Sequence, residues 1–317
     1  MPTTRPGTRG AVISGWGTAL PERVVTNEEL AATMDTSDEW IRSRTGIEQR
    51  HIGGSTVGLS VESGRQALEM AGLEPSRIDA LVLATTTPDK QWGSSAVIQN
   101  ELDMFCGAFD VNAACSGFMY GLVTAHGLIA MGADRVLLIG TDTLSRITDW
   151  SDRVTAPLFA DGSGAVVLES VAGPGQMLSW DLDADGSALP ILKAEIGGKI
   201  EMEGKEVFRR AVRIMVDSAQ KSLSHAGVSA DDIKIVVPHQ ANLRIISAAC
   251  DRLGIPIERA SLVIQRTGNT SSASIPLALG DALDNGRIEN GDLVLLVGFG
   301  GGMTAGSCVL RWGGGVE

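Results

Sequence analysis

The chain has 317 residues, of which 44% are hydrophobic and 20% are charged, and its formal net charge is −12. This length allows two ordinary domains or one large domain, and the composition is typical of a soluble globular protein. The negative charge disfavours nucleic acid and anionic membranes as partners, and no apolar stretch is long enough to span a bilayer. Because the polar segment Met1–Gly10 lacks the apolar core of a signal peptide, we expect a cytoplasmic location.

The cysteines do not follow the spacing of a disulfide framework or a zinc site. Cys106, Cys115, Cys250 and Cys308 form no CxxC pair and no cluster with histidine. We therefore expect no metal, and we interpret all of them except Cys115 as small buried hydrophobic residues.

An internal repeat organises the chain. The segment from Ala71 to Val82 resembles the segment from Ala226 to Val237, 155 residues later, and Asp134–Gly140 resembles Asp292–Gly298 at an offset of 158. In both halves helices alternate with apolar strands that lack polar alternation, which predicts sheets buried on both faces. The repeat predicts a duplicated α/β unit, with one half over 1–170 and the other over 171–317.

Cys115 lies in a turn where an apolar strand gives way to a helix. The helix N-terminus favours the thiolate, which is the nucleophilic form of cysteine. Small Ser116 and Gly117 leave room for a substrate, and backbone N–H groups of this turn can bind an oxyanion. A lone cysteine before a helix is usually structural, but its combination with the next two segments predicts a nucleophile for an acyl group.

Two further polar residues follow apolar runs in the second half. His239 alone among the four histidines ends a strand amid small polar residues, and Asn269 lies in a Ser/Thr-rich turn before a helix over Ile275–Leu283. By itself Asn269 would be read as a helix cap. The repeat offset places Cys115 opposite about Thr270, so we expect both turns to meet at the seam between the halves, with His239 and Asn269 as hydrogen-bond donors to an enolate.

Two glycine-rich segments have different interpretations. Gly298–Met303 lacks the lysine of a P-loop and the spacing of a dinucleotide fingerprint. We expect its backbone to pack tightly against Cys115, with the N–H of Gly301 completing an oxyanion hole alongside the N–H of Cys115. The segment Ala160–Ala165 is interpreted as a structural turn.

These motifs together resemble 3-ketoacyl-(acyl carrier protein) synthase III, the initiating condensing enzyme of type II fatty acid synthesis in the thiolase superfamily. The resemblance covers nearly the whole chain. Besides the cysteine, histidine and asparagine segments, it rests on Ser37–Ile47, Phe159–Ala165, Gly204–Phe208 and Gly298–Gly302.

The resemblance implies an α/β protein with the thiolase-like fold, a five-layered αβαβα sandwich, and a homodimer. It implies a ping-pong Claisen condensation in which Cys115 takes an acyl group from acyl-CoA. Malonyl-acyl carrier protein then loses CO₂ while His239 and Asn269 hold the enolate. No cofactor is expected, because acyl-CoA and malonyl-acyl carrier protein are substrates.

The resemblance also implies residues for substrate entry. The CoA or pantetheine entrance is assigned to Trp40, Arg44, Arg153 and Arg244, since arginine suits phosphate and tryptophan suits adenine. An acidic carrier protein needs a local basic patch on this acidic enzyme, and the candidates are Lys205, Arg209, Arg210, Arg213 and Arg244. A solvated helix face is the alternative reading of that patch.

Two segments depart from the family pattern. The loop Pro88–Ser95 carries Trp92 where an aromatic or aliphatic residue and proline are common, and in the family this loop shapes the acyl pocket across the dimer. The connection from Asp183 to Glu201 looks shortened. Both leave the acyl-chain preference open, and a Trp92 that points into the pocket would favour a small primer.

Proteins with other functions share parts of this pattern. A biosynthetic thiolase needs a second cysteine where Phe299 stands, and elongating synthases use histidine in place of Asn269. The remaining alternative is a relative from secondary metabolism that primes a polyketide or transfers an acyl group to oxygen or nitrogen without decarboxylation. A non-catalytic binding protein of this fold is a third class, and the intact triad argues against it.

Overall fold

A computed structural model describes residues 9–313, so most of the segment examined for a signal peptide lies outside the described residues. Within this range the strands are β1 (Gly10–Ala19), β2 (Val24–Thr26), β3 (Gln49–His51), β4 (Ala80–Ala84), β5 (Gly107–Val111), β6 (Arg135–Thr143), β7 (Asp161–Val171), β8 (Met177–Ala184), β9 (Leu192–Ala194), β10 (Ile200–Met202), β11 (Ile235–Pro238), β12 (Leu293–Gly300) and β13 (Thr304–Arg311). The α-helices are α1 (Asn27–Ala31), α2 (Asp38–Thr45), α3 (Thr56–Ala71), α4 (Ser94–Glu101), α5 (Gly117–Ala130), α6 (Gly204–Ala226), α7 (Leu243–Leu253), α8 (Ile264–Thr267) and α9 (Ser274–Asp284).

Two sheets share one strand order. The first runs β1-β7-β6-β4-β5, and the second, read from its other edge, runs β8-β13-β12-β11. In each sheet the strand in which the repeated segment ends lies parallel to a neighbour, β4 to β6 and β11 to β12. A single parallel bridge between Val236 and Ala260 marks the place that β5 fills in the first sheet. The sheets therefore correspond strand by strand, as the repeat predicts.

The repeated sequence encodes the same helix end twice. Helices α3 and α6 both terminate at a glycine in the left-handed region, Gly72 with φ 65° and Gly227 with φ 68°. Glycine is favoured there because a side chain would strain this backbone conformation. A buried isoleucine then follows in each copy, Ile78 and Ile233, before the next strand begins.

The helices and sheets form five layers. Helices α5 and α9 lie between the sheets, and their apolar side chains form one core with inward residues of both sheets, such as Val82 and Leu296. Helices α3 and α4 cover the outer face of the first sheet, and α6 and α7 cover that of the second. The predicted αβαβα sandwich is confirmed, and the helix predicted over Ile275–Leu283 is α9.

The predicted turn at Ala160–Ala165 is wrong, because Asp161 to Ala165 belong to β7. Its glycines serve close packing: a Cβ on Gly164 would lie 2.7 Å from the Cβ of Pro276 in α9. The first sheet ends with β7 and the second starts with β8, while the division into 1–170 and 171–317 stays a prediction. None of the helices described has the length and apolar character needed to cross a membrane.

Candidate active site

The nucleophile turn joins β5 to α5 at the seam between the two sheets. Ala114 has φ 49°, an uncommon value for a residue with a side chain, and Cys115 follows it. The other half of the chain holds the turn at two carbonyls: Thr304 Oγ1 donates to Ala113 at 2.7 Å, and Ser272 Oγ donates to Ala114 at 3.1 Å. Both halves therefore fix the position of Cys115.

The thiol of Cys115 is protonated at neutral pH in the free protein. Burial raises its pKa to about 12, with a smaller increase from Asp142 and an opposing hydrogen bond from Ser271. The sequence-based expectation of a thiolate is therefore wrong for the free protein, because removal of the sulfur from water outweighs the nearby helix N-terminus. A role as nucleophile would therefore require the thiol to lose its proton during the attack.

His239 follows β11 and is 1% exposed. Its Nδ1 lies 2.6 Å from Ser274 Oγ, which also accepts the N–H of Gln240 at 3.3 Å. With its oxygen accepting from Gln240, the serine hydroxyl is placed to donate its proton to Nδ1, and this arrangement puts the ring proton on Nε2. Nε2 has no protein partner in the described residues, and burial lowers the pKa of His239 to about 3, so the ring is a neutral donor.

Asn269 is fixed by backbone and side-chain hydrogen bonds. Its N–H donates to Leu158 and its carbonyl accepts from Ala160, both at 2.9 Å. Its Oδ1 accepts the N–H of Ser271 at 3.0 Å. Because this bond assigns the oxygen of the carboxamide, the Nδ2 group is the end left to donate to a ligand.

Cys115 lies between two pockets. The smaller, of about 80 Å³, is lined by Cys115, His239, Asn269 and Phe299, and the Phe299 ring stands edge-on to the imidazole at 5.3 Å. The larger, of about 360 Å³, lies beside the same cysteine. Its lining is mainly apolar and includes Leu144, Ile147, Phe159, Leu189, Leu192 and Ile200. The three predicted catalytic residues therefore share one pocket, and a second apolar pocket adjoins the nucleophile.

The glycine loop after β12 packs against the nucleophile as predicted. A Cβ on Gly300 would lie 2.5 Å from the backbone nitrogen of Cys115, so a side chain is excluded at that position. Gly301 begins a short 3-10 turn, Gly301–Met303, and lines the larger pocket. The predicted oxyanion role of its N–H stays a prediction.

The residues predicted for the CoA entrance lie on the outer surface near the smaller pocket. The Arg153 guanidinium stacks on the Trp40 ring at 4.3 Å, and that of Arg244 lies 5.5 Å from the ring of Phe208, which lines the pocket. The side chain of Arg44 is exposed, and its carbonyl accepts from Asn242 of the same lining at 3.0 Å.

The predicted basic patch is partly neutralised. Glu206 pairs with Arg209 and with Arg210, each at 2.7 Å, and Arg210 also lies 3.4 Å from Asp185. Among the residues described, the other members, Lys205, Arg213 and Arg244, make no ion pair.

Trp92 does not reach the nucleophile of its own chain. Its side chain is 91% exposed and lines a surface hollow with Val97 and Asn100. The Asp183–Glu201 connection, in contrast, contributes Leu189 and Leu192 to the pocket beside Cys115. Over residues 9–313 no group of three or more potential metal ligands is present.

Sequence reasoning missed Ser274 and Asn112. Ser274 holds the imidazole of His239, and Asn112 accepts the N–H of Ala114 at 3.2 Å, as Asn269 does for Ser271. The signal was in the repeat: helices α5 and α9 begin 157 residues apart, an offset that places Asn112 opposite Asn269 and Cys115 opposite Ser272.

The chain is similar to known proteins over most of its length. Two family models match the chain: 3-oxoacyl-[acyl-carrier-protein (ACP)] synthase III over residues 109–186, and its C-terminal part over residues 223–312. A β-ketoacyl-[acyl-carrier-protein] synthase III of Erythrobacter litoralis is 50% identical over 319 residues, covering 95% of this chain and 99% of the relative.

The chain belongs to the 3-oxoacyl-[acyl-carrier-protein] synthase III family. It is an acyltransferase, the initiating condensing enzyme of fatty acid synthesis. A solved synthase III of Aquifex aeolicus superposes with a TM-score of 0.94 at 42% identity, covering 96% of this chain and 100% of that one. The priming β-ketosynthase of the R1128 polyketide pathway superposes with a TM-score of 0.92 at 35% identity, covering 97% and 98%.

Proposed function

We propose that this synthase III carries out a ping-pong decarboxylative Claisen condensation with Cys115 as nucleophile and His239 and Asn269 as enolate donors. The observation that supports this most directly is the pair of donor groups, His239 Nε2 and Asn269 Nδ2, which share a pocket with Cys115 and have no protein acceptor in the described residues. Nε2 is buried, and a buried donor without an acceptor is costly unless a ligand completes it.

In the first half-reaction the Cys115 sulfur attacks the carbonyl carbon of a short acyl-CoA. The thioester bond to CoA breaks, CoA leaves, and the proton lost by Cys115 departs with it as the CoA thiol. The N–H groups of Cys115 and Gly301 hold the oxyanion of the tetrahedral intermediate. The acyl chain occupies the apolar pocket of about 360 Å³ beside the sulfur.

In the second half-reaction malonyl-acyl carrier protein loses CO₂, and the bonding electrons move onto its thioester oxygen. His239 Nε2–H and Asn269 Nδ2–H stabilise this enolate. Because the pKa of His239 is about 3, the ring does not act as an acid that would protonate the enolate carbon. That carbon attacks the acyl thioester, and the Cys115 thiolate leaves and takes a proton from solvent. The steps use this chain's residues, the two substrates and a solvent proton, without a cofactor.

We further propose that the enzyme is a homodimer joined along β5. This strand is the free edge of the first sheet, and an unprotected edge is rare in a monomer. Large exposed apolar side chains lie along it: Phe105 before it, Phe109 within it, and Trp92 in the loop whose next residues bond to Asp110. In this arrangement Trp92 enters the acyl pocket of the second copy and limits the primer to a short chain.

A measurement of native mass tests the dimer. We expect twice the chain mass for the parent protein and monomer for a Phe109→Lys variant. Trp92→Ala should stay dimeric and accept longer acyl-CoAs. A monomeric parent would contradict the proposed interface, and a Trp92→Ala variant with unchanged primer preference would remove Trp92 from the acyl pocket.

Substrate entry is proposed at the mouth of the smaller pocket. Arg153 and Trp40 present a flat cation and a ring that suit the adenine and phosphates of CoA, and Arg44 and Arg244 add positive charge. For the carrier protein we propose Lys205, Arg213 and Arg244, since Glu206 already binds Arg209 and Arg210. Replacing Arg213 or Arg244 by Glu should raise the KM for malonyl-carrier protein more than replacing Arg209 does.

A second candidate is priming of a polyketide or acyl transfer without decarboxylation. It is favoured only by the similarity to the R1128 priming ketosynthase. The enzyme would then form the same acyl-cysteine, so only the second half-reaction separates the two candidates.

Intact-protein mass spectrometry tests the proposal. We expect an acyl-CoA panel to add one acyl mass on Cys115, and malonyl-acyl carrier protein to remove it with release of one CO₂. The acyl-CoA that gives the fastest adduct identifies the primer. An adduct that malonyl-carrier protein does not discharge would favour the second candidate, and the absence of any adduct would contradict Cys115 as nucleophile.

A further inference from the structure

A buried carboxylate lies behind the active site and has no cationic partner among the described residues. Asp142, near the end of β6, is 0% exposed and forms no ion pair in that part of the chain. A charge buried without a counter-ion is stable only if hydrogen bonds satisfy it. Its Oδ1 accepts N–H and O–H groups of Thr85, Thr86 and Thr87 at 2.7–3.1 Å.

The second oxygen of Asp142 reaches the other half of the chain. Oδ2 accepts the backbone N–H of Ser272 at 3.0 Å. The hydroxyl of Ser272 in turn donates to the carbonyl of Ala114, the residue before the nucleophile. Asp142 is therefore linked to Cys115 through Ser272 and Ala114. Binding of the threonine loop by Oδ1 does not require this link.

The repeat explains this contact. Strands β6 and β12 match at an offset of 158, since Gly140 pairs with Gly164 in the first hairpin and Gly298 pairs with Gly306 in the second. Asp142 then corresponds to Gly300. Ser272 corresponds to Cys115. The N–H of Ser272 is bonded by the Asp142 carboxylate, whereas the N–H of Cys115 has Gly300 beside it.

We propose that Asp142 is a positioning residue for acyl transfer, and that it acts through Ser272, whose hydroxyl holds the Ala114 carbonyl beside Cys115. A carboxylate oxygen fills one N–H of the duplicated turn permanently, and the substrate oxygen fills the other during the reaction. This inference rests on the proposed function, because it assumes that Cys115 is acylated.

Asp142→Asn tests the first part. All the groups around the carboxylate are donors, so the amide keeps its oxygen toward the threonines and turns its NH₂ toward Ser272, which loses its acceptor. We expect the acylation rate to fall at least about tenfold, since a hydrogen bond to an ionised acceptor is lost. The KM for acyl-CoA should stay within about twofold, because no substrate contact changes.

A second readout separates positioning from general damage. The charged or titratable groups around Cys115 are Asp142, His239 and Lys193, which lines the larger pocket, and Asp142 lies close enough to Asp161 to raise the pKa of that carboxyl. His239 stays neutral above about pH 3, so loss of the Asp142 charge dominates and favours the thiolate. The variant should therefore react with iodoacetamide at lower pH than the parent while it accepts acyl groups more slowly.

Asp161→Asn is the matched control, because Asp161 is also buried and bonds Gly53 and Ser145 without touching Ser272. We expect it to keep the parent acylation rate. Parental acylation by Asp142→Asn would overturn the positioning role, and so would faster acylation that follows the extra thiolate. A parent enzyme that forms no acyl-cysteine would instead contradict the proposed function.

Ser272→Ala decides the case if Asp142→Asn fails to fold, since it leaves the carboxylate and its bond to the residue 272 N–H in place and removes only the hydroxyl that reaches Ala114. We expect acylation to fall roughly three- to tenfold, the usual effect of losing one hydrogen bond, with iodoacetamide alkylation retained. Parental acylation in this variant would overturn the link through which Asp142 acts on the nucleophile turn.

Discussion

The turns Asn112–Gly117 and Asn269–Ser274 are built alike but carry different side chains. In each, the asparagine Oδ1 accepts an N–H two residues later, at 3.2 Å in the first and 3.0 Å in the second. In each, the residue that donates this N–H has a positive φ, 49° at Ala114 and 51° at Ser271. Such strain costs about 1–3 kcal/mol per residue, and its presence in both copies indicates that the turn itself is required.

The side chains around the two turns differ where the chemistry differs. The first helix starts with Gly117, against which Ala84 packs, whereas the second starts with Ser274, which bonds His239. The strand register of the repeat places Ala84 opposite His239. The first copy thus offers a thiol beside small residues, and the second offers polar donors. In the proposed mechanism the duplication therefore separates the nucleophile from the groups that stabilise the enolate.

Exchanging the turns' central residues should have the largest effect. Cys115→Ser should lower acyl transfer from acyl-CoA by at least about 10³-fold, because a hydroxyl is a far weaker nucleophile without an adjacent base. Adding Ser272→Cys places a thiol at the corresponding site, where the Asp142 carboxylate occupies the N–H. We expect no acyl adduct on this second thiol by peptide mass mapping. Acylation of residue 272 would contradict the division between the turns.

Loss of the imidazole should have the next largest effect. His239→Ala should keep acylation of Cys115 and slow CO₂ release by about 10²–10³-fold, the usual cost of one missing donor. Because burial lowers the pKa to about 3 from 6.5, the parent's decarboxylation rate should show no inflection between pH 5 and 8.

The same shift predicts a stability effect. The unfolded chain binds a proton at His239 below about pH 6.5, and the folded chain does so only near pH 3. The free energy of unfolding contributed by this residue is therefore fully present above pH 6.5 and falls as the pH is lowered through that window. Chemical denaturation of the parent and of His239→Ala at several pH values checks the difference. For the preceding prediction on the rate, an inflection near pH 6.5 in decarboxylation by the parent would show that the ring is not held neutral.

Ser274→Ala should have a smaller effect. The substitution makes the start of α9 resemble the start of α5, where Gly117 has no side chain. It also removes the hydrogen bond that holds Nδ1 of His239. We expect a loss of about 1–1.5 kcal/mol, equivalent to roughly tenfold in CO₂ release, with acylation unchanged. Ser261→Ala, which removes a buried hydrogen bond to Ala278 away from the pocket, is the control. Equal rates in the two variants would leave Ser274 without a role in orienting the ring.

The sequence predicted the candidate catalytic residues and the buried sheets from local signals, and the five layers from the family resemblance. Apolar runs and glycine-ended helices define the repeat, and short motifs carry Cys115, His239 and Asn269. The pKa of the thiol was mispredicted because burial depends on both halves packing over the sulfur. The pairing of Glu206 with Arg209 and Arg210 also depends on the rotamers that the fold selects. The strand offset placed Cys115 two residues from its true counterpart, because the helices of the repeat align differently from its early strands.

The matched asparagines provide the most direct test. CO₂ release from malonyl-carrier protein should be measured for Asn269→Ala and Asn112→Ala, with acylation of Cys115 followed in parallel. Both variants lose the same local hydrogen bond to Oδ1, so any difference in CO₂ release reports the Nδ2 group of the carboxamide. We predict that Asn269→Ala loses about 10²-fold or more, while Asn112→Ala stays within about threefold of the parent. Equal losses in both would show that the asparagine shapes a turn and does not hold the enolate.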